Sequence, residues 1–266
     1  MTDGAGRAIS LMVAGRRIAA RLWGQIGAGP TIVLLHEGLG SISMWRDFPQ
    51  ALAQVTGCAV FAYDRIGYGQ SDIGTLPWPL DYMTIEALEV LPAILQAAGI
   101  ERVILVGHSD GASIALIHAG GMQNFGLRGL VLIAPHLFVE DVSIKSIEAV
   151  REAFRSGDLR ARLARHHDDP DHAFWGWNGA WLDSGFRDWR IDGYVPTVRV
   201  PILAIQGDAD EYGTPAQLAP LEQDAYCPVD VQLVAGARHA PHLSHRAEIL
   251  ALVAPFVARI CRMESV

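Results

Sequence analysis

Cysteine is scarce in this chain and placed without pattern. Cys58, Cys227 and Cys261 are odd in number and far apart, which argues against a disulfide framework and a CxxC-type metal site alike. They read as reduced thiols of a cytoplasmic protein. Basic residues are in the minority, and a formal net charge of −8 leaves no basic face for nucleic acid or an anionic membrane surface. A small neutral or apolar molecule is the expected partner, with homo-oligomer formation left open. Long apolar runs are missing too. The run over residues 9–14 is short, contains Ser10 and leads straight into Arg16 and Arg17, so it reads as neither a signal peptide nor a membrane span. No repeat, low-complexity segment or linker divides the 266 residues, a length that fits one large domain, alone or with an insertion.

What the chain does have is apolar residues, half of the total, gathered into short runs that alternate with helix-forming segments. Residues 8–14 and 17–23 alternate apolar and other side chains about Ala14-Gly15-Arg16, which predicts an antiparallel hairpin. Thr31-Ile-Val-Leu-Leu35 predicts a buried strand running into the loop His36-Glu-Gly-Leu-Gly40, whose glycines let backbone N–H groups approach a ligand. A helix over residues 45–55 and a strand over 58–63 follow. Residues 82–98 read as a helix stopped by Gly99 and kinked at Pro92. Strands over 128–134, 202–206 and 229–235, with helices over 214–224 and 246–262, complete an α/β pattern.

The stretch Val103-Ile-Leu-Val-Gly-His-Ser-Asp-Gly111 organises the rest. Its first four residues form the continuous apolar run of a strand covered on both faces, and the residues after Gly111 continue as a helix. A strand-to-helix turn this tight needs small residues two before and two after the serine, which Gly107 and Gly111 provide. The turn would expose the Ser109 hydroxyl at the positive end of a helix, a place for an oxyanion. A G-x-S-x-G pentapeptide alone is weak in a glycine-rich chain; its flanking strand and helix give it weight.

About sixty-five residues separate the strand at 128–134 from the next one, far more than a plain connection needs. The segment carries helical patterning over 144–163 and a tryptophan-rich patch, Phe174-Trp-Gly-Trp-Asn-Gly-Ala-Trp181 with Trp189. It reads as a lid, whose aromatics, Trp175 and Trp177 foremost, either line an apolar substrate cavity or form the small core of the lid itself. His166, His167 and His172, interleaved with Asp168, Asp169 and Asp171, read as a solvated turn around Pro170 rather than as a metal site.

Ser109 on an elbow, an aspartate after the penultimate strand and a histidine after the last give the chain order Ser, Asp, His. With His36-Glu-Gly-Leu-Gly40 and Tyr63-Asp-Arg-Ile-Gly-Tyr-Gly-Gln-Ser71, these segments make the chain resemble the α/β-hydrolase fold superfamily over nearly its whole length. The resemblance implies an α/β fold: a mostly parallel sheet flanked by helices, with residues 1–134 and 197–266 as the core and 135–196 as a helical cap. It further implies a Ser–His–Asp triad and no cofactor. Serine is a poor nucleophile until a histidine takes its proton, and a carboxylate must hold that histidine. The superfamily's Gly-x-x-His context falls on His239, with His242 and His245 as rivals. Its Gly-x-x-Asp pattern falls on Asp210, while Asp208 suits a turn just off the strand.

The oxyanion hole would use the N–H of Asp110, the residue after the nucleophile, and one from the loop after Leu35. There the chain departs from the superfamily's usual His-Gly-x. Glu37 stands where glycine is common, so Gly38 becomes the second donor and Leu39 the reserve. The Glu37 carboxylate would discourage anionic substrates, hold a water, or turn away to an ion pair with a neighbour such as Arg65. The expected function is a serine hydrolase forming an acyl-enzyme on Ser109, acting on carboxylic esters of small or medium apolar substrates. Lactone, thioester, amide and C–C bond hydrolysis use the same triad. Because fold alone does not establish catalysis, a ligand-binding protein and a cofactor-free oxygenase are the readings from other classes.

Overall fold

Runs of apolar residues with no polar interruption become strands covered on both faces. Every residue of β3 (Thr31–Leu35), β4 (Val60–Tyr63), β5 (Val103–His108) and β7 (Ile202–Gly207) is buried. The computed structural model describes residues 6–27 and 29–263; residues 1–5, 28 and 264–266, assigned to the core from the sequence, lie outside the described residues. With β1 (Arg7–Val13), β2 (Arg16–Trp23), β6 (Leu127–Ile133) and β8 (Val229–Val234) these strands form one eight-stranded sheet in the order β1-β2-β4-β3-β5-β6-β7-β8. The hairpin β1–β2 and its junction with β4 are antiparallel, and all other pairs are parallel.

Successive side chains of a strand point to opposite faces, so the sheet supplies two cores. Ile32, Leu34, Ile104 and Val106 pack against the helices Phe48–Thr56 and Arg246–Met263; Val33, Leu35 and Leu105 face the segments between Tyr82 and Ala98 and the helix Asp110–Gly121. Because β3 to β8 run parallel, the loops that follow them all emerge at one edge. The chain passes from β3 outward to β4 and then back across to β5 on the other side. The loops after β3 and β5 therefore diverge, opening the crevice where doubly wound sheets bind ligands.

Several elements differ in detail from their sequence reading. The helix expected from residue 45 begins at Phe48, because Arg46 takes φ 55° and Pro49 suits a first turn. The kink expected at Pro92 is a π-helical turn, Glu86–Val90, just before it. Residues 144–163 are two helices, Asp141–Ser156 and Leu159–Leu163, parted at Gly157.

The histidine-rich segment is not a solvated turn. Pro170 starts the helix Pro170–Trp181, capped by Asp169, and His167 and His172 are buried. The His167 Nδ1 accepts from the Gly69 N–H at 2.9 Å and its Nε2 donates to the Leu39 carbonyl at 2.9 Å, tying this segment to the loops after β3 and β4. No cluster among the described residues is arranged to hold a metal ion.

Burial makes such histidines resist protonation. It lowers His167 to about 4 and His136 to about 3, and lowers His36 and His242 as well. The unfolded chain takes up protons on these rings as pH falls through about 6.5, while the folded chain does not. Their stabilisation is complete above that value and is lost as pH falls toward about 4, by about 3 kcal/mol for His167 alone. His108 and the buried carboxyls of Asp64, Glu86 and Asp110, all shifted upward, oppose the trend; His118, lowered by burial, and Glu37 and Asp210, held below the carboxylate range, add to it. Urea midpoints are expected to drop steadily between about pH 7.5 and pH 4.5. A flat profile would mean that the four rings titrate as freely in the folded chain as in the unfolded one.

Candidate active site

Between β5 and the helix Asp110–Gly121 the backbone turns so sharply that Ser109 is held at φ 53°, ψ −121°, a conformation costly for a residue with a side chain. A Cβ on Gly107 would strike the Gly111 carbonyl, and one on Gly111 would strike that of Leu35. Both glycines are therefore fixed by backbone contact. The Ser109 N–H bonds the Ile133 carbonyl at 2.9 Å, anchoring the turn to β6. Its side chain stands at the parallel edge of the sheet, at the start of a twelve-residue helix.

The loops after β7 and β8 bring the other two groups to it. His239 Nε2 lies 2.9 Å from Ser109 Oγ, and His239 Nδ1 lies 2.9 Å from both carboxylate oxygens of Asp210. The carboxylate can only accept, so Nδ1 carries the proton and Nε2 is left free to accept one from serine. Burial alone would raise the Asp210 carboxyl; the His239 ring and the Tyr212 N–H outweigh it and hold it below the ordinary carboxylate range. Gln206 Nε2 adds a further bond at 2.6 Å. Asp208 instead accepts the Gly236 N–H at 2.7 Å, closing an exposed turn. His242 is buried between Trp45, Phe48 and His108, and His245 bonds Ser244 at the surface. Neither rival histidine reaches the serine.

The loop after β3 is held from below. The buried Arg65 guanidinium donates to the carbonyls of His36 (2.7 Å) and Glu37 (2.9 Å), fixing the backbone that presents Gly38. At the helix start the Asp110 N–H has no intrahelical acceptor. Gly38 and Asp110 line one cavity with Ser109. A side chain at Gly38 would overlap the Trp177 indole, so glycine there is what lets that ring close over the serine. The Glu37 carboxylate turns to His108 rather than to Arg65: its Oε2 is 3.0 Å from His108 Nδ1. Burial would raise this carboxyl, yet His108 brings it down to about 2.

The cavity over Ser109 is small, about 120 Å³. Leu39, Ile147, Trp177 and Trp181 give it apolar walls, and His136 and Tyr212 flank His239. Trp175 does not line it. Residues 177 and 181 are four apart on the helix Pro170–Trp181 and share a face, whereas 175 is turned about 200° from 177; its ring packs on Phe154 and Phe174 instead. Trp177→Ala is therefore expected to shift acyl-length preference and KM while leaving turnover of an acetate ester within a few fold. Trp175→Ala should leave that preference as it is. An acyl-length series measured on both variants decides the point. Asp110 also faces the cavity, its carboxyl bonded to Tyr82 Oη at 2.5 Å and raised by burial.

The sequence reading did not single out His108, His136, Ile147 or Tyr212, and it placed Trp181 only within the aromatic patch. Trp181 had a signal, its helical spacing from Trp177. The others come from separate loops and helices and carry no shared motif.

A model of the alpha/beta hydrolase family matches residues 32–252, and the chain belongs to that family. A proline iminopeptidase of Lactobacillus helveticus is 23% identical over 88% of this chain and 91% of its own. The crystal structure of a proline iminopeptidase from Mycobacterium smegmatis superposes with a TM-score of 0.77 at 20% identity, covering 97% of this chain and all of that one. An enol-lactonase from Burkholderia xenovorans LB400 superposes at 0.73 and 20% identity, over 94% and 100% of the two chains. At such identities the structures show a shared fold. No helix among the described residues is long and apolar enough to cross a membrane.

Proposed function

We propose that the chain is a serine hydrolase that forms an acyl-enzyme on Ser109 and releases it to water, acting on carboxylic esters with a small, uncharged acyl group. The observation that carries this reading is the unbroken chain of bonds Asp210–His239–Ser109 opening into a cavity of about 120 Å³. His239 Nε2 takes the hydroxyl proton as Ser109 Oγ attacks the carbonyl carbon, and Asp210 stabilises the imidazolium that forms. The oxyanion develops against the N–H groups of Asp110 and Gly38. His239 then gives its proton to the leaving oxygen. Water repeats the sequence on the acyl-enzyme and frees the acid.

Size and charge support the acyl class. A cavity of about 150 Å³ accommodates benzene, so this one suits a short or branched acyl chain. Both acids at the cavity already have partners, Glu37 in His108 and Asp110 in Tyr82 Oη, so neither is offered free to a cationic acyl group, and either would repel an anionic one. The leaving group would face a wider opening, about 390 Å³, bounded by Arg46, Arg238 and Leu243 on the outer side of His239.

Labelling with a fluorophosphonate, located by mass, and competition by esters of rising acyl length, lactones, thioesters and amides tests the reading. The similar iminopeptidases and enol-lactonase make the amides and lactones worth including. Short neutral esters should compete best and show burst release of p-nitrophenol. Preference for an aminoacyl amide would overturn the ester assignment, and absence of any burst would favour a ligand-binding protein.

A further inference from the structure

Beside the nucleophile stands a second carboxylate–imidazole pair that the mechanism above does not use. Glu37 Oε2 lies 3.0 Å from His108 Nδ1, and His108 Nε2 lies 2.8 Å from the main-chain oxygen of His239. Both partners are acceptors: an ionised carboxylate and a carbonyl have no proton to give. The ring must therefore carry a proton on each nitrogen, and the pair is an imidazolium facing a carboxylate. The His108 side chain is only 2% exposed, where an unpaired cation would be costly. Burial opposes its charge, and Glu37 reverses that and raises the ring.

Three loops meet on this one ring. Leu35 and Gly107 are register partners, so the ends of β3 and β5 are level and Glu37 can reach across to His108. Glu37 precedes Gly38, His108 precedes Ser109, and the acceptor of Nε2 belongs to His239 itself.

We propose that His108 is a positioning residue: by donating to the His239 carbonyl while neutralising Glu37, it sets the imidazole on Ser109 and keeps the oxyanion beside Gly38 clear of an uncompensated negative charge. This rests on the serine-hydrolase reading, which Ser109→Ala tests separately.

The charged and titratable groups facing His239 are Asp210 after β7, His108 from β5, Glu37 after β3 and His136 after β6. At the rim Tyr212 lies against its ring and Glu211, paired with Arg238, accepts its N–H. His242 packs on the far side of His108, and Trp45 covers both rings. Of these, only the Glu37–His108 pair can be unbalanced without touching Asp210 or the rim.

His108→Gln keeps an amide N–H for the His239 carbonyl and leaves Glu37 unpaired. That carboxylate would favour the charged form of His239, moving the acid limb of kcat/KM to higher pH, and would repel the oxyanion. The expected result is a loss of roughly 10- to 100-fold, in kcat rather than KM, with the limb displaced upward. The double variant E37Q/H108Q, with no charge at either site, should recover most of the loss and return the limb.

A His108→Gln enzyme with wild-type kcat and pH profile would overturn the proposal, and so would a double variant no better than the single one. Melting curves establish that each variant is folded. Should His108→Gln not fold, ¹⁵N spectra of the histidine-labelled wild type decide the matter, since a neutral His108 ring near pH 7 is incompatible with the pair.

Discussion

Ser109→Ala is expected to abolish fluorophosphonate labelling and to lower ester turnover by about 10⁶, the loss seen when the nucleophile is removed from a triad of another fold. What remains would come from the oxyanion donors and binding alone. The fold should survive, because the hydroxyl lost bonds only the His239 ring in this structure and no apolar packing depends on it. Ser109→Gly extends the test. At φ 53° a glycine sits without steric cost, so this variant should be as inactive as the alanine one and more stable by about 1 kcal/mol, the strain of the elbow being released. A thermal melt checks this. Equal melting temperatures for serine and glycine would mean that the elbow stores no strain, and labelling retained in Ser109→Ala would move the nucleophile elsewhere.

How much of this could be read from the sequence follows from where each constraint lies. The elbow was legible because Gly107 answers to a backbone collision only four residues away, with Gly111, whereas the collision that fixes Gly111 is with the distant end of β3. The central strands β3, β4, β5 and β7 were legible because burial on both faces leaves them as apolar runs, and the hairpin β1–β2 because its side chains alternate. The cap aromatics were only half legible. Composition marks residues 174–181 as aromatic, but which ring enters the cavity depends on helical phase, and that phase turns Trp177 and Trp181 inward and Trp175 away.

The Glu37–His108 pair was hidden for a different reason. The two residues are some seventy positions apart and meet only because β3 and β5 are neighbours with level ends. Arg65 was the more obvious partner for Glu37 on charge alone, yet its guanidinium is spent on two main-chain carbonyls. The histidines at 166–172 misled for the same reason: a polar run reads as solvated until the loops it bonds to, those of Leu39 and Gly69, are brought beside it.

The choice between the two aspartates of the loop after β7 yields the second large effect. Asp210→Asn should lose about 10⁴ in kcat, as the equivalent change does in serine proteases of another fold. The physical reason is the tautomer. Asp210 forces the proton of neutral His239 onto Nδ1 through bonds of 2.9 Å to both oxygens; an asparagine can present its NH₂ to Nδ1 and drive the proton to Nε2, where the base is needed. Gln206 Nε2 donates to one oxygen of this carboxylate and the Tyr212 N–H to the other, so an asparagine must set its NH₂ against one of these donors and loses that bond as well. Asp208→Asn keeps an oxygen for the Gly236 N–H and should cost no more than a few fold, through stability. Both variants need a melting curve beside the kinetics, since a misfolded loop would mimic a lost acid. An inactive, folded Asp208→Asn beside an active Asp210→Asn would reverse the assignment, and two active variants would leave His239 oriented by its other neighbours, with Glu211 next to be replaced.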